Sequence, residues 1–372
     1  MRILLLSVLI LIFSSCQNHT SNTEEVGEEI NLKYAKGFTI EKFTGYKVIT
    51  LRDVWRGEKS TYRYVLFKGE APVGYEDATK IKVPINSIAC MSLTHISFLE
   101  AIGCIESLVA ISGGKYSHNS KVKLLMKSGK VSEIGSEQAI DYETLLERNP
   151  DIVMSYGIDG TSSKYTNKLK TLSLTPVLNA EYMEVHPLGK AEWIKFVAEF
   201  FDKSDIADSI FNSIESSYIN LVNKTKNITQ KPSVFVGMPW NGNWYVSGGK
   251  SFQAQLFKDA GAHYLWKDND EKSSIIKSKE VVYNDAINAD LWLNVNSYSS
   301  ISSIIEYDER LASFSAIKDS MVYNNDNRLN EFMGNDYWES GTINPHIVLK
   351  DLIEIFHPDQ LNHELYYYRK LN

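Results

Sequence analysis

The chain is poor in cysteine, with only Cys16, Cys90 and Cys104 among 372 residues. A structural zinc site wants about four closely spaced ligands, and no such set is spelled out here. Positive charge is also short. Lysine and arginine number 39 against 46 aspartates and glutamates, a net of −7. That balance argues against a protein that works by neutralising nucleic-acid phosphates. No apolar run is long: residues 3–13 give about half of the ~20 that cross a bilayer as a helix. Catalytic signatures are missing too. There is no His-Glu-x-x-His pair and no Gly-x-Ser-x-Gly elbow. Ser247-Gly248-Gly249-Lys250-Ser251 ends like a phosphate loop, but the pattern needs glycine where Trp244 stands. It reads instead as a turn into a helix capped near Ser251.

What is present is ordinary globular composition, 43% hydrophobic and 23% charged, which excludes a disordered or fibrous chain. The length allows two to three domains. Aromatics reach 12%, with 21 tyrosines, which suits a surface that grips flat or amphipathic ligands, although core packing accounts for most of them. At the start, Met1-Arg2, the apolar run and Ser14-Ser15-Cys16 make a secretory signal rather than a span. Small residues directly before Cys16 resemble the bacterial lipobox, whose cysteine is cleaved, acylated and left as the new N-terminus. The expectation is an exported protein, lipid-anchored at Cys16 to a cell membrane and facing the periplasm or the exterior. Residues 17–30 are polar and acidic, and read as a tether. Cys90 and Cys104 lie in apolar settings. A bridge between them is open after export, but buried thiols are the expected state.

Period-2 patterning at 38–40, 46–51 and 62–67 predicts antiparallel strands within an extension at 33–68. From about 81 the style changes to alternating buried strands and helices. Strands are expected at 83–90, 108–111 and 151–156, with helices at 93–102 and 141–148. Such alternation builds a parallel sheet covered by helices. The second half repeats the phrasing, with strands at 233–238 and 291–295 and helices at 251–260 and 279–286. Glu143 precedes Asp151 by eight residues and Glu280 precedes Asp290 by ten, each pair running from a helix start to a strand start. Between the halves, Ile206, Ile210, Ile214, Tyr218 and Leu221 keep helical spacing, so a helix over about 204–226, begun at a Ser204 or Asp205 cap, would bridge two lobes as a stiff rod. The expected class is therefore α/β. It has two lobes, each with a mostly parallel sheet, joined by one long α-helix, plus a short N-terminal antiparallel extension. The division is 1–16 signal, 17–30 tether, 31–187 N-terminal lobe, 188–230 helical segment and 231–372 C-terminal lobe.

Pro187-Leu188-Gly189-Lys190-Ala191-Glu192-Trp193, Tyr245-Val246-Ser247-Gly248-Gly249-Lys250-Ser251 and Asp259-Ala260-Gly261-Ala262 are similar to phrases of a known family. Together with the lobed order and Cys16, they resemble the solute-binding lipoproteins of ABC importers, in the cluster with a single linking helix that handles ferric siderophores, haem and cobalamin. The likeness runs from about 80 to 358. The resemblance implies that the ligand, an iron complex or related metal macrocycle, lies between the lobes on loops at the C-terminal ends of strands. Open α/β sheets follow the same rule in general. It implies no catalysis and no resident cofactor, with an ABC permease and ATPase as partners, no nucleic acid, and a monomer.

The loops in question are 91–95, 112–119, 156–159, 239–245, 296–299 and 335–341, and they supply the expected ligand contacts. These are Thr94, Tyr116, Tyr156, Trp240, Trp244, Tyr245, Tyr298, Tyr337 and Trp338; tyrosine and tryptophan give rigid contact area with a polar tip. Haem-binding members use a tyrosinate or histidine on the iron, and Tyr116, Tyr156, His95 and His118 stand in suitable loops, but iron held by a chelator needs no protein ligand, so none is assigned. The family also docks through one carboxylate on each lobe, and the matching positions are Glu143 and Glu280. Three rival readings stay open: an exported two-lobed hydrolase, a surface interaction lipoprotein using the N-terminal strands, or a carrier of a bare metal ion.

Overall fold

The computed structural model describes residues 26–57, 59–136, 139–157 and 161–372, with 161–163 by backbone alone. The signal, Cys16 and most of the tether lie outside the described residues. No helix among them is long and apolar enough to cross a membrane.

The N-terminal extension is a five-stranded sheet that runs well past residue 68. Glu28–Glu29, Phe38–Phe43, Tyr46–Leu51 and Tyr62–Phe67 pair antiparallel in sequence order, and Thr79–Lys82 adds parallel to the last. Alternation along these strands sends Phe38, Ile40, Ile49, Leu51, Tyr64 and Leu66 into the core. That face lies on the helix Pro187–Glu199, where the Phe38 and Trp193 rings meet at 4.7 Å. Two buried glutamates of this region sew the extension down. Glu192 accepts the backbone N–H groups of Lys33, Tyr34 and Ala35 at 2.8–3.0 Å. Glu184 accepts those of Lys36 and Gly37, and the Trp193 indole N–H at 3.0 Å. Among the described residues, the sheet's edges are a two-residue strand and a polar one.

Each lobe then repeats one plan. In the first, the opening strand Ile88–Cys90 lies between its successor Leu108–Ile111 and the later strand Ile152–Ser155, with Pro176–Leu178 beyond, all parallel. In the second, Ser233–Val236 lies between His263–Tyr264 and Leu291–Leu293, with Val322–Asn324 beyond. The aspartates flagged by the sequence do the same job twice. Asp151 accepts the amides of Asn86 and Ser87 and donates its own to the Ser87 hydroxyl. Asp290 accepts the amide and hydroxyl of Ser233 and returns its own amide to that hydroxyl. Each clip pins the start of one strand to the start of its neighbour.

The linking helix spans Ser204–Thr225, 22 residues or about 33 Å. It is not a free rod. Ala207, Phe211, Ile214 and Tyr218 are buried, and the helix packs against Pro187–Glu199 and Pro345–Phe356. Nor does Ser204 or Asp205 cap it: Lys203 holds the cap position without a side-chain bond, and the Ser204 hydroxyl turns back to Glu199 at 3.0 Å. Residues 239–245, expected as a loop, form a hairpin of Pro239–Trp240 and Asn243–Ser247 that pairs on to Ser274–Ser278. Asn241 and Gly242 make its turn, both at positive φ, the geometry of a tight two-residue hairpin.

Candidate functional site

A cavity of about 1170 Å3 opens between the lobes. Its N-terminal wall is built by the segments that follow each parallel strand, at 91–94, 112–116, Tyr156 and 182–184. The C-terminal wall repeats the arrangement, with 236–237, 294–299 and 325–339, and adds Tyr245 and Ser247 from the hairpin. Strand ends converge here because a parallel sheet lays all its C-terminal ends along one edge.

Six of the nine expected contacts line this cavity: Thr94, Tyr116, Tyr156, Tyr245, Tyr337 and Trp338. Thr94 opens the helix Leu93–Ala101, whose cap is Ser92, and the two hydroxyls lie 2.9 Å apart. Behind Thr94 stands Glu181, which is buried, shares a side-chain hydrogen bond with Thr94 and leaves one carboxyl oxygen without a partner. Burial raises this carboxyl above its usual range, against the opposing pull of the Thr94 hydroxyl and the nearby Lys190 ammonium. His95, next in sequence after Thr94, buries both ring nitrogens unpartnered in the core. Burial lowers the His95 ring to about 3, so it stays neutral.

Tyr337 and Trp338 share the short helix Asp336–Glu339, capped by Asn335. Their rings meet edge to face at 4.8 Å. Trp338 is 61% exposed, whereas Tyr337 is nearly buried against Tyr367 and Tyr368, and its phenol is pushed up to about 12 by that burial. Three expected contacts are corrected. Trp244 is fully buried, donates its indole N–H to the Val236 carbonyl at 3.0 Å and packs on Trp292. The hairpin explains it: in a strand alternate residues face opposite sides, so Trp244 and Val246 point into the core while Tyr245 points out. Trp240 lies off the wall, largely exposed, 6.2 Å from the Tyr245 ring. Tyr298 is also off the wall, half-buried against Tyr307.

Several wall residues went unread. Asn294 and Asn296 both sit at φ +56 directly after a buried strand, a left-handed conformation that asparagine tolerates, and that pattern was readable. Tyr182, Met183 and Glu184 follow the fourth strand of the first lobe by the same logic. Asp326 and Arg369 had no signal, because their pairing joins positions 43 apart. Gly248 and Gly249 acquire a reason: a Cβ on either would lie 2.2–2.4 Å from backbone oxygens of the 267–271 loop, which brings Lys272 to the wall. Ser251 caps the following helix by accepting the Ala254 amide.

The lobes meet a second time beside the cavity. Glu339 accepts the Ser117 hydroxyl at 2.8 Å and the His118 amide at 2.6 Å. The His118 ring donates to the Gly334 carbonyl at 2.8 Å, and the Asn330 amide reaches the Lys115 and Ser117 carbonyls. Among the described residues no three His, Cys, Asp or Glu side chains are placed to hold a metal. Cys90 and Cys104 are buried and unbridged. Glu143 and Glu280 occupy matching places, exposed in the first turns of Tyr142–Arg148 and Lys279–Ala286. The Glu280 carboxyl is held below its usual range by its own backbone N–H and the Ser278 hydroxyl.

This geometry can be set beside known proteins. An uncharacterised lipoprotein of Methanocaldococcus jannaschii is 32% identical over 290 residues, 75% of this chain and 67% of the relative. Among solved structures, a protein of Staphylococcus epidermidis described as a possible iron-binding (periplasmic solute-binding) protein superposes with a TM-score of 0.57 at 17% identity, covering 73% of this chain and 98% of that one. The IsdE protein of Staphylococcus aureus, solved with haem, gives 0.55 at 18% identity, covering 73% and 98%. At those identities the structures attest the fold. Membership rests on the family model for periplasmic binding proteins, which matches residues 88–329, the stretch that builds both lobes and most of the cleft; the chain belongs to the periplasmic binding protein family.

Proposed function

We propose that this chain is the substrate-binding lipoprotein of an ABC importer, capturing a chelated metal complex such as a ferric siderophore, cobalamin or haem in the cleft and delivering it to a permease. The observation that carries the reading is the cavity of about 1170 Å3 between two like lobes, edged by rings from both. That volume exceeds what a bare ion or a simple sugar needs and falls at or above the upper end for drug-sized ligands. The iron-binding description and the haem of the two structural neighbours point the same way. Thr94, Tyr116, Tyr156, Tyr245, Tyr337 and Trp338 are the contacts assigned here. Glu143 and Glu280, one per lobe, are assigned to docking on the permease. Cys16 is assigned as the lipidated N-terminus, in keeping with the name of the lipoprotein relative. Titration of intrinsic tryptophan fluorescence with a ferric siderophore, haemin and cobalamin tests the ligand class, and silence from all three at micromolar levels removes the reading. A mass spectrum of the protein from its native membrane tests the anchor, which is lost if the mature chain starts elsewhere than an acylated Cys16.

A further inference from the structure

Among the described residues of the cavity wall, the charged ones are the carboxylates Glu184, Asp326 and Glu339 and the cations Lys272 and Arg369. The three acids are all engaged. Glu184 holds the Lys36 and Gly37 amides and the Trp193 indole, and Glu339 holds Ser117 and His118. Asp326 pairs with the Arg369 guanidinium: its Oδ2 accepts Nη2 at 2.9 Å, and Nε lies 2.7 Å from Oδ1 as an ion pair without a hydrogen bond. The remaining Arg369 amine donates to the Ser299 carbonyl at 3.2 Å. A guanidinium committed in this way cannot turn to a ligand without stranding its carboxylate. Lys272 stands on an exposed loop, where water and salt screen its charge.

Two further cations stand near the wall, Lys190 desolvated behind it and Lys115 exposed to solvent beside it. The Lys190 ammonium lies 4.3 Å over the Phe252 ring, with Glu181 and Glu184 near it, and Lys115 lies 4.9 Å over Tyr116. What the wall does present is neutral dipoles, the amides of Asn294, Asn296 and Asn325 among them, and an apolar shelf of Leu329, Met333 and Trp338. Met333 is 70% exposed and sits at φ +66, an uncommon conformation for a long side chain.

We infer that this cleft, read as the binding site for a chelated metal, selects complexes without net negative charge, such as ferric trihydroxamates or corrinoids, over anionic ones. The charge follows from chelate chemistry. Three hydroxamates balance ferric iron, whereas three catecholates leave a trianion and haem carries two propionates. Moving such an anion out of water requires compensating cations, and those near this wall are already neutralised or solvated. Amide dipoles and apolar surface suffice for an uncharged chelate.

The test is calorimetric titration of the purified full-length chain with a neutral ferric trihydroxamate, a cationic linear ferric trihydroxamate, cyanocobalamin, a ferric tris-catecholate and haemin. The expected result is that at least one uncharged or cationic complex binds about 100-fold or more tightly than the trianion and haemin, with an affinity that added salt barely changes. An anionic complex that binds equally or more tightly overturns the inference while leaving the binding-protein reading in place. Silence from every complex overturns both. Asp326→Asn gives a second readout, since it releases the Arg369 charge into the cleft: affinity for the tris-catecholate should rise about 10-fold and affinity for the neutral complex stay within about threefold. No gain for the trianion overturns the inference even where the wild-type preference holds.

Discussion

Gly334 of one lobe and Tyr116 of the other touch backbone to backbone: a Cβ on Gly334 would lie 1.9 Å from the Tyr116 carbonyl oxygen. No rotamer change relieves an overlap with backbone, so Gly334→Ala must push the 328–340 loop off the 113–119 turn. The cleft should open on that side. Small-angle scattering of the ligand-free protein is expected to show a larger radius of gyration, and amide exchange at 113–119 should rise. Global stability should fall by only about 1–3 kcal/mol, because the overlap is local.

Glu339, in the same clasp, carries a pH dependence whose sign can be worked out. Burial raises its carboxyl, aided by Asp336, against the opposing pull of the His118 amide and the Ser117 hydroxyl. With the clasp undone the group returns to the ordinary carboxyl range. The closed form therefore binds the proton more tightly, and its added stability is full below that range and is lost as pH rises through the raised value. Exchange at 113–119, corrected for intrinsic rate, should be slower at pH 4 than at pH 7. Glu339→Gln, which keeps an acceptor and removes the titration, should flatten the difference.

Trp244 and Tyr245 are neighbours with opposite fates. Trp244→Ala empties a fully buried site and strands the Val236 carbonyl, so urea unfolding should show a loss of about 3–5 kcal/mol. Tyr245→Ala removes a ring that is 38% exposed on the cavity wall and should leave stability within about 0.5–1 kcal/mol while weakening ligand binding. The reverse pattern would mean that the hairpin register is wrong.

That pair also marks where the sequence stopped being readable. The first strands and helices of each lobe followed from buried runs and periodicity, although the strand expected at 83–90 is only Ile88–Cys90 and elements such as Thr161–Thr171, Val322–Asn324 and Pro345–Phe356 were not read; the linking helix ended one residue from its expected limit. Asn241-Gly242 announced a hairpin, yet the aromatic-rich stretch around it read as a ligand loop, so Trp244 was given the wrong face. Alternation decides that face only once a strand is recognised. The Gly334 clasp, the Asp326–Arg369 ion pair and the seating of the extension on Glu184 and Glu192 had no local pattern at all. Each joins residues distant in the chain, and composition or spacing carries no trace of such pairings.

Glu192 concentrates that long-range order in one side chain. It accepts three consecutive amides of the extension, those of Lys33, Tyr34 and Ala35, and pairs with Lys195 at 3.1 Å. Glu192→Ala leaves buried donors unsatisfied and should cost about 3–5 kcal/mol, the range for breaking a buried charged network. The loss should be regional: limited proteolysis is expected to cut first within 26–60, before either lobe. Simultaneous digestion throughout the chain would show that the extension is not a separately releasable layer.

Glu143 and Glu280 allow binding to be separated from delivery. Both are exposed, both sit in the first turn of a short helix, and the two helices occupy equivalent places in the repeated lobes. Neither lines the cavity. Rim charges set encounter rate and orientation between proteins, and reversing one places like charges face to face. Glu143→Arg and Glu280→Arg should therefore leave ligand affinity unchanged, with only a small loss of stability, about 1 kcal/mol or less, from placing a cation in a helix first turn. Each should weaken association with the cognate permease by about 10-fold or more at low salt, with a smaller difference as salt is raised. The measurement is stimulation of the transporter's ATPase in vesicles by loaded protein, titrated with each variant and the double variant. A double variant that stimulates as well as the parent protein would remove these two carboxylates from the docking surface, whatever the cleft is found to hold.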